Sequence, residues 1–423
     1  MLNKILTVTV LSLLVVSVSI SQDIKKTGGL ARLSAMGGNI YIVDPFFNTI
    51  NPAWNGVYSD FILADLGTSA SSPFGAGGFG QYISGSFSAG SRWTFGGILA
   101  RNDFPGVGIA LLDPGANSSL STPFPGVVSI VNSFVGGGAV IALDNNVVLM
   151  ATLKMQNTII GFSAAYASTT NKTTTAAGTT TEGSASQLGF NIGILSDISR
   201  YFKLDASGTI ILPSASFTPA TGNETKASQT FIGVNGRGFL RVKPNLSVVP
   251  ILTFLTVSGT VDSGGTTTGS ADFPSMTSFA FGAGLNYQIG DFLLAGGVQF
   301  ASTSYTISST SASPEISNSA TVFPIWNLGV EWQLLEWLYG RLGYIAFTGS
   351  TTTQTAASTT TVNEFVATFF SPAQRGATLG VGFRFGDFSL DTMINEDVLR
   401  QGFNIVGGGG PTFFLLTTSY AIP

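Results

Sequence analysis

The sequence predicts an all-β fold: a transmembrane antiparallel β-barrel whose lumen holds a plug made from the N-terminal segment. Three observations carry this prediction. Only 9% of the 423 residues are charged, while 44% are hydrophobic; an average soluble domain has ~25% charged residues. Past the N-terminus the apolar residues never gather into the ~20-residue run that a membrane-spanning helix needs. From Tyr58 onward hydrophobicity instead alternates with period two, the signature of strands with two unlike faces.

The first element is a targeting segment, expected over residues 1–21. Lys4 supplies a positive start and Ile5 to Ile20 an apolar stretch. Ser19 and Ser21 are small residues that suit cleavage before Gln22. A membrane anchor is the alternative, disfavoured because the apolar run is short for a span. An outer-membrane location follows from this export signal together with the barrel.

The next element, residues 22–57, does not read as strand. Thr27-Gly28-Gly29, Ala35-Met36-Gly37-Gly38 and Asn51-Pro52-Ala53 break regular structure. Leu30, Leu33 and Met36 have helical spacing, which predicts a short helix. An apolar segment placed before the first strand needs burial, and the barrel lumen is the available place.

The barrel occupies residues 58–423. In Asn327 to Leu334, Leu328, Val330, Trp332 and Leu334 share one face, opposite Asn327, Gly329, Glu331 and Gln333. Phe279 to Gln288 and Leu379 to Phe385 alternate in the same way. A soluble sandwich also alternates, but its outward residues would be Lys, Glu and Arg. Short connections such as Ala89-Gly90-Ser91, Lys243-Pro244-Asn245 and Gly386-Asp387 alternate with long ones. The long ones are expected near 102–128, 169–184, 213–227, 259–275, 306–320 and 349–373, as outer-membrane barrels show. Thr169 to Thr181 and Thr348 to Thr361 each hold eight threonines and read as mobile extracellular loops. Sixteen strand candidates are found, with 58–66 and 388–394 the weakest. The segment 147–168 reads as one strand. The expected count is fourteen, with sixteen as the alternative.

Composition narrows the chemistry. The chain has no His and no Cys, which removes the Ser-His-Asp triad, the thiol nucleophile and the thiolate or imidazole metal site. An all-carboxylate site is the only metal chemistry left open, and no catalytic constellation or cofactor site is found. A net charge of −4 argues against a nucleic-acid partner. The chain is therefore expected not to be an enzyme.

The candidate site lies in the lumen. A charge on the lipid face of a barrel costs ~2–4 kcal/mol at mid-bilayer, so strand charges point inward. Parity turns Lys154, Asn235, Arg237, Glu331 and Arg384 to the lumen, as a ligand path or as ion pairs tying the plug to the wall. The second role is favoured. Leu246 to Val257 is apolar on both faces, which suits a filled lumen better than an open porin.

The elements Ala35-Met36-Gly37-Gly38 and Asn51-Pro52-Ala53, set before the first strand, resemble the N-terminal region of the FadL-like outer-membrane superfamily. That superfamily includes the long-chain fatty acid transporters and the PorV-type proteins of type IX secretion. The resemblance implies a fourteen-stranded barrel with an N-terminal hatch, in which Met36, Gly37, Gly38, Asn51 and Pro52 are hatch residues. The spacer Val43-Asp44-Pro45-Phe46-Phe47 departs from the family's Ala-Asp-Asp-Ala-like run, and the chain ends in Tyr420-Ala421-Ile422-Pro423 instead of a terminal aromatic. Two functions follow: a channel or binding protein for hydrophobic small molecules, or a PorV-like or surface-structural barrel that engages other surface or secretion proteins. Membrane lipid is a partner in both.

Overall fold

The computed structural model describes residues 27–67, 82–100, 146–262, 271–272, 275–307, 316–355, 360–367, 377–394 and 413–423. The targeting segment and the strand expected at 130–143 lie outside the described residues. Within them the chain is all-β apart from two short helices and a 3-10 turn near its start.

The strands are β1 (Phe61–Gly67), β2 (Tyr82–Ala89), β3 (Trp93–Ala100), β4 (Asn146–Met155), β5 (Thr158–Thr174), β6 (Thr180–Ser199), β7 (Phe202–Thr218), β8 (Thr225–Lys243) and β9 (Leu246–Asp262). They continue with β10 (Ala271–Asp272), β11 (Ser275–Ile289), β12 (Phe292–Ile307), β13 (Ile316–Leu335), β14 (Leu338–Thr355), β15 (Thr360–Ala367), β16 (Ala377–Phe385), β17 (Phe388–Ile394) and β18 (Phe413–Ala421). Neighbours pair antiparallel throughout. The sheet closes because β1 pairs with β2 on one side and with β18 on the other. Closure leaves no sheet edge in the ring, as a barrel in lipid requires. Two short strands stand outside the ring: β10 pairs with the far end of β9, and β15 with the far end of β14.

The ring therefore has sixteen strands among the described residues. This corrects the expected count of fourteen and matches the alternative. Two features account for the difference. The expected single strand at 147–168 is two, β4 and β5, separated by a turn at Gln156 and Asn157. The inward parity changes across that turn, from Thr152 and Lys154 to Ile159 and Gly161, and a single strand cannot do that. The two weakest candidates also prove to be ring members, β1 and β17.

The outward face is apolar. Phe279, Phe281 and Leu285 are exposed on β11, Leu328 and Trp332 on β13, and Leu342 on β14. On β11 the outward apolar residues run from Phe279 to Ile289, the ~9–11 residues of a membrane-crossing strand. Aromatic rings stack across neighbouring strands: Phe281 on Phe300, Phe292 on Trp332, and Trp337 on Phe383 and Phe385. An outward belt of this kind is what a transmembrane barrel shows to lipid.

Beyond the belt the strands continue where loops are expected. The Thr-rich stretches are largely strand: β5 reaches Thr174 and β6 starts at Thr180, while β14 reaches Thr355 and β15 starts at Thr360. Threonine is β-branched and favours extended backbone. Hydroxyls also pair across strands, with Ser184 Oγ 2.9 Å from Ser216 Oγ and Ser186 Oγ 2.9 Å from Ser214 Oγ. Beyond the belt the outward face no longer has to be apolar, so the alternation that marks a strand in the sequence fades there although inward residues such as Ala215 and Ala227 stay buried.

Short turns join β2–β3, β4–β5, β6–β7, β8–β9, β11–β12, β13–β14 and β16–β17 on one rim. The start of β1 meets the end of β18 on that same rim, where Ile422 N–H donates to Asp60 O at 2.8 Å.

Candidate functional site: the hatch in the barrel lumen

Residues 27–57 fill the lumen. They form α1 (Leu30–Ala35), a 3-10 turn at Pro45–Thr49 and α2 (Trp54–Val57). The helix α1 lies where the spacing of Leu30, Leu33 and Met36 places it. Met36, Tyr41, Ile42, Phe47, Ala53 and Trp54 are almost wholly buried. Their core is continuous with inward residues of the wall, including Leu63, Ile98, Val148 and Leu195.

The wall makes room for the hatch with glycine. A Cβ on Gly161 of β5 would overlap the backbone of Pro52 and Ala53, and one on Gly343 of β14 would overlap Gly37 N. Gly284 of β11 and Gly297 of β12 admit the Tyr41 ring. These close approaches account for part of the high glycine content. Gly37 needs its own lack of Cβ as well: its φ is +73°, and a Cβ would sit 2.9 Å from Tyr344 N.

The wall also satisfies the hatch backbone. Gly29 at the N-cap of α1 has no side chain to cap the helix, so the barrel supplies the acceptors. Leu30 N–H donates to Asp65 Oδ2 of β1 at 3.4 Å and Ala31 N–H to Thr417 Oγ1 of β18 at 3.0 Å. The Thr417 hydroxyl in turn donates to Asp65. Wall amides then read hatch carbonyls: Asn327 Nδ2 donates to Gly37 O and Gly38 O, and Asn191 Nδ2 to Ile50 O. A buried loop must find such partners for its peptide groups.

Two charged nodes join hatch and wall. In the larger, Arg32 of α1 makes a two-point pair with Glu331 of β13 and meets Asp44 at 3.0 Å. Glu331 also accepts from Arg341 Nε of β14 at 2.6 Å. Arg341 reaches Asp391 of β17 at 2.7 Å, and Asp391 meets Arg384 of β16 at 2.9 Å. Cations and carboxylates thus alternate from Asp44 to Arg384. Burial pushes the Asp44 carboxyl up to about 6, against the pull of the Arg32 guanidinium.

In the smaller node Asp205 of β7 accepts from Arg237 Nε of β8 at 2.8 Å, Trp54 Nε1 at 3.0 Å and Asn51 Nδ2 at 2.6 Å. The Arg237 guanidinium lies 3.5 Å from the centroid of the Phe47 ring and donates to Ile40 O at 2.9 Å. This stacked, hydrogen-bonded geometry suits Arg and not Lys.

Of the five wall residues picked by parity, Glu331, Arg384 and Arg237 belong to these nodes. Lys154 lies beside Gly56 of α2, and Asn235 is buried one inward position from Arg237. Of the hatch residues, Met36 and Gly37 pack on Gly329 and Gly343, Gly38 accepts from Asn327, Asn51 binds Asp205, and Pro52 faces Gly161. Arg32, Asp44, Asp65, Asp205, Arg341 and Asp391 join these contacts without having been expected from the sequence. The same parity rule finds most of these: Arg341 alternates with Leu342, and Asp391 with Leu390.

Toward the long-loop rim the inward wall carries apolar clusters set among buried polar side chains such as Thr209, Gln229, Ser278 and Thr303. Ile211, Phe231, Leu255, Val257 and Met276 form one buried cluster across β7, β8, β9 and β11. Ala301, Val322, Ile325 and Phe347 form another across β12, β13 and β14. Toward the short-turn rim lies a cavity of about 260 Å³, lined by Arg32, Asn286, Gln288, Asp291, Glu331, Gln333 and Arg384 among others. The lumen thus holds apolar clusters above the hatch and, below it, a chamber that mixes these charged and amide groups with Ile42, Val43 and Leu293.

No family model matches the chain, and no curated protein matches it. Among solved structures the chain is similar to the P. putida toluene transporter TodX, at 10% identity and a TM-score of 0.36, over 93% of this chain and 98% of that one. It is also similar to the FrpB iron transporter from Neisseria meningitidis, at 11% identity and a TM-score of 0.38, over 79% of this chain and 61% of that one.

Proposed function

We propose that the chain is an outer-membrane channel or binding barrel for hydrophobic small molecules, of the FadL-like kind and without enzymatic activity. The observation that carries this reading is the inward apolar cluster of Ile211, Phe231, Leu255, Val257 and Met276, placed on the long-loop side of the hatch. A lumen meant for hydrated solutes would carry polar side chains at these five positions too, and not only at their neighbours Thr209, Gln229 and Ser278. An apolar solute entering from outside meets this wall first and then the hatch. The hatch must shift for passage, and its polar nodes define the shut position.

The test uses the purified chain in nanodiscs and a long-chain fatty acid bearing an environment-sensitive fluorophore. Saturable binding is expected, and Phe231→Asn should weaken it about tenfold or more, because an apolar contact becomes an unpaired polar one. Free passage of small sugars through reconstituted vesicles, with no saturable binding of the fatty acid, would overturn the reading.

A second reading, a PorV-like or surface-structural barrel, draws on the wall that β5 to β9 raise past the belt. That wall is faced with Ser and Thr, broken by the exposed ion pairs Lys172–Glu182 and Lys226–Glu224, and offers a protein partner a broad surface.

A further inference from the structure

The short-turn rim carries its charge in two blocks. Arg92 is exposed at the β2–β3 turn, Arg200 at the β6–β7 turn and Lys243 at the β8–β9 turn. Lys154, Lys203 and Arg241 stand on the strand ends beside them. Continuing round the ring the sign changes. Asp291 is exposed at the β11–β12 turn, Glu336 at β13–β14 and Asp387 at β16–β17, and Asp60 precedes β1. On the basic half the carboxylate at the rim is Asp197, which faces Lys203 at 3.4 Å. On the acidic half, among the described residues, no turn carries a cation, and the strand-end cation Arg384 is paired inward with Asp391 at 2.9 Å. The chamber under the hatch reaches the rim at Asp291, within the acidic half.

Such segregation needs an explanation, because like charges on adjacent turns repel. Phospholipid phosphates do not supply one: a leaflet of one sign attracts one half of the rim and repels the other. A second copy would match by a half-turn rotation, face to face. In a membrane, however, all copies present this rim to the same compartment, so two rims cannot meet. That exclusion rests on the membrane reading above.

We infer that the short-turn rim is a docking face for a soluble protein partner with segregated charge. The partner presents an acidic patch to the Arg92–Lys243 half and a basic patch to the Asp291–Asp387 half. Complementary blocks steer encounter and fix the partner's orientation over the mouth. Docked in that way, the partner's basic patch covers the exit of the chamber.

The probe is a fluorescent peptide with a glutamate block, a Gly-Ser linker and a lysine block. The control has the same composition in alternating order. The chain is held in nanodiscs of zwitterionic lipid, and binding is followed by anisotropy. The block peptide should bind about tenfold more tightly than the control, about 1.4 kcal/mol. The difference should vanish near 1 M salt, where screening reaches ~3 Å. Reversing one half with Arg92→Glu, Arg200→Glu and Lys243→Glu should remove the advantage. Adding Asp291→Lys, Glu336→Lys and Asp387→Lys should restore it, because the pattern is then merely rotated. All six side chains are exposed, so folding is retained. Equal binding of both peptides, or no recovery in the six-fold variant, would overturn the inference. A chain that does not enter nanodiscs, seen directly by size exclusion, would overturn it too, since a second copy could then occupy the rim.

Discussion

Arg32 in the hatch and Glu331 in the wall are joined at two points, Nε to Oε2 at 2.8 Å and Nη2 to Oε1 at 2.9 Å. Glu331 is also the hinge of the larger charged node, since it holds Arg341 as well. Glu331→Gln should therefore leave two buried guanidinium groups short of a partner. Breaking a buried pair on one side costs about 3–5 kcal/mol. Hydrogen exchange over residues 30–44 should rise by two or more orders of magnitude while the strands stay protected. Unchanged protection would show that packing alone holds the hatch.

Gly161 faces the backbone of Pro52 and Ala53, which cannot turn aside as a side chain can. Gly161→Ala should displace the α2 end of the hatch and raise conductance in planar bilayers. Gly208→Ala is the control, because its Cβ would find only the Ile192 methyl at 3.9 Å. If both variants conduct alike, the glycine approaches do not hold the lumen shut.

Asp44 titrates in a useful range. Its carboxyl is pushed up by burial to about 6, against ~3.9 for a free aspartate. The folded state therefore binds this proton more tightly than the unfolded chain. The resulting stabilisation is complete below about pH 4 and is lost as pH rises through about 6. Residues 28–47 should exchange more slowly at about pH 4.5 than at about pH 7 once intrinsic rates are divided out. Asp44→Asn should flatten this dependence, because its amide oxygen can still accept from Gly29 and Phe46 but carries no proton equilibrium. An opposite slope in the wild type would assign the titration to another group.

Leu285 sits inside the outward belt of β11 and Thr277 beyond it. Leu285→Arg should cost ~2–4 kcal/mol in urea-dependent folding into lipid vesicles, and Thr277→Arg ~0–1. Equal, small effects would mean that the belt faces water.

The barrel was legible in the sequence because lipid and lumen impose unlike residues on the two faces of each strand. Leu328 and Asn327, or Phe281 and Gly282, declare their sides without a structure. The strand count was not legible at Gln156-Asn157, where a two-residue turn interrupts a stretch that is hydrophobic on both sides of it. Nor were the strand ends beyond Tyr166 and Phe254, where lipid no longer sorts the residues. The hatch was legible as a segment that breaks strand and needs burial. Its partners were only partly so: parity turns Glu331 inward but says nothing of which cation it meets. Arg32 went unnoticed because a charge in an irregular segment has no parity to read.

The caps of α1 have a consequence for assembly. Asp65 belongs to the first strand of the ring and Thr417 to the last, and the two become neighbours only when β18 pairs with β1. The helix that is made first therefore lacks its cap until nearly the whole chain has been synthesised and the ring has closed. Contacts so distant along the chain form late. The hatch should accordingly settle after the barrel, entering a finished cylinder from its short-turn end.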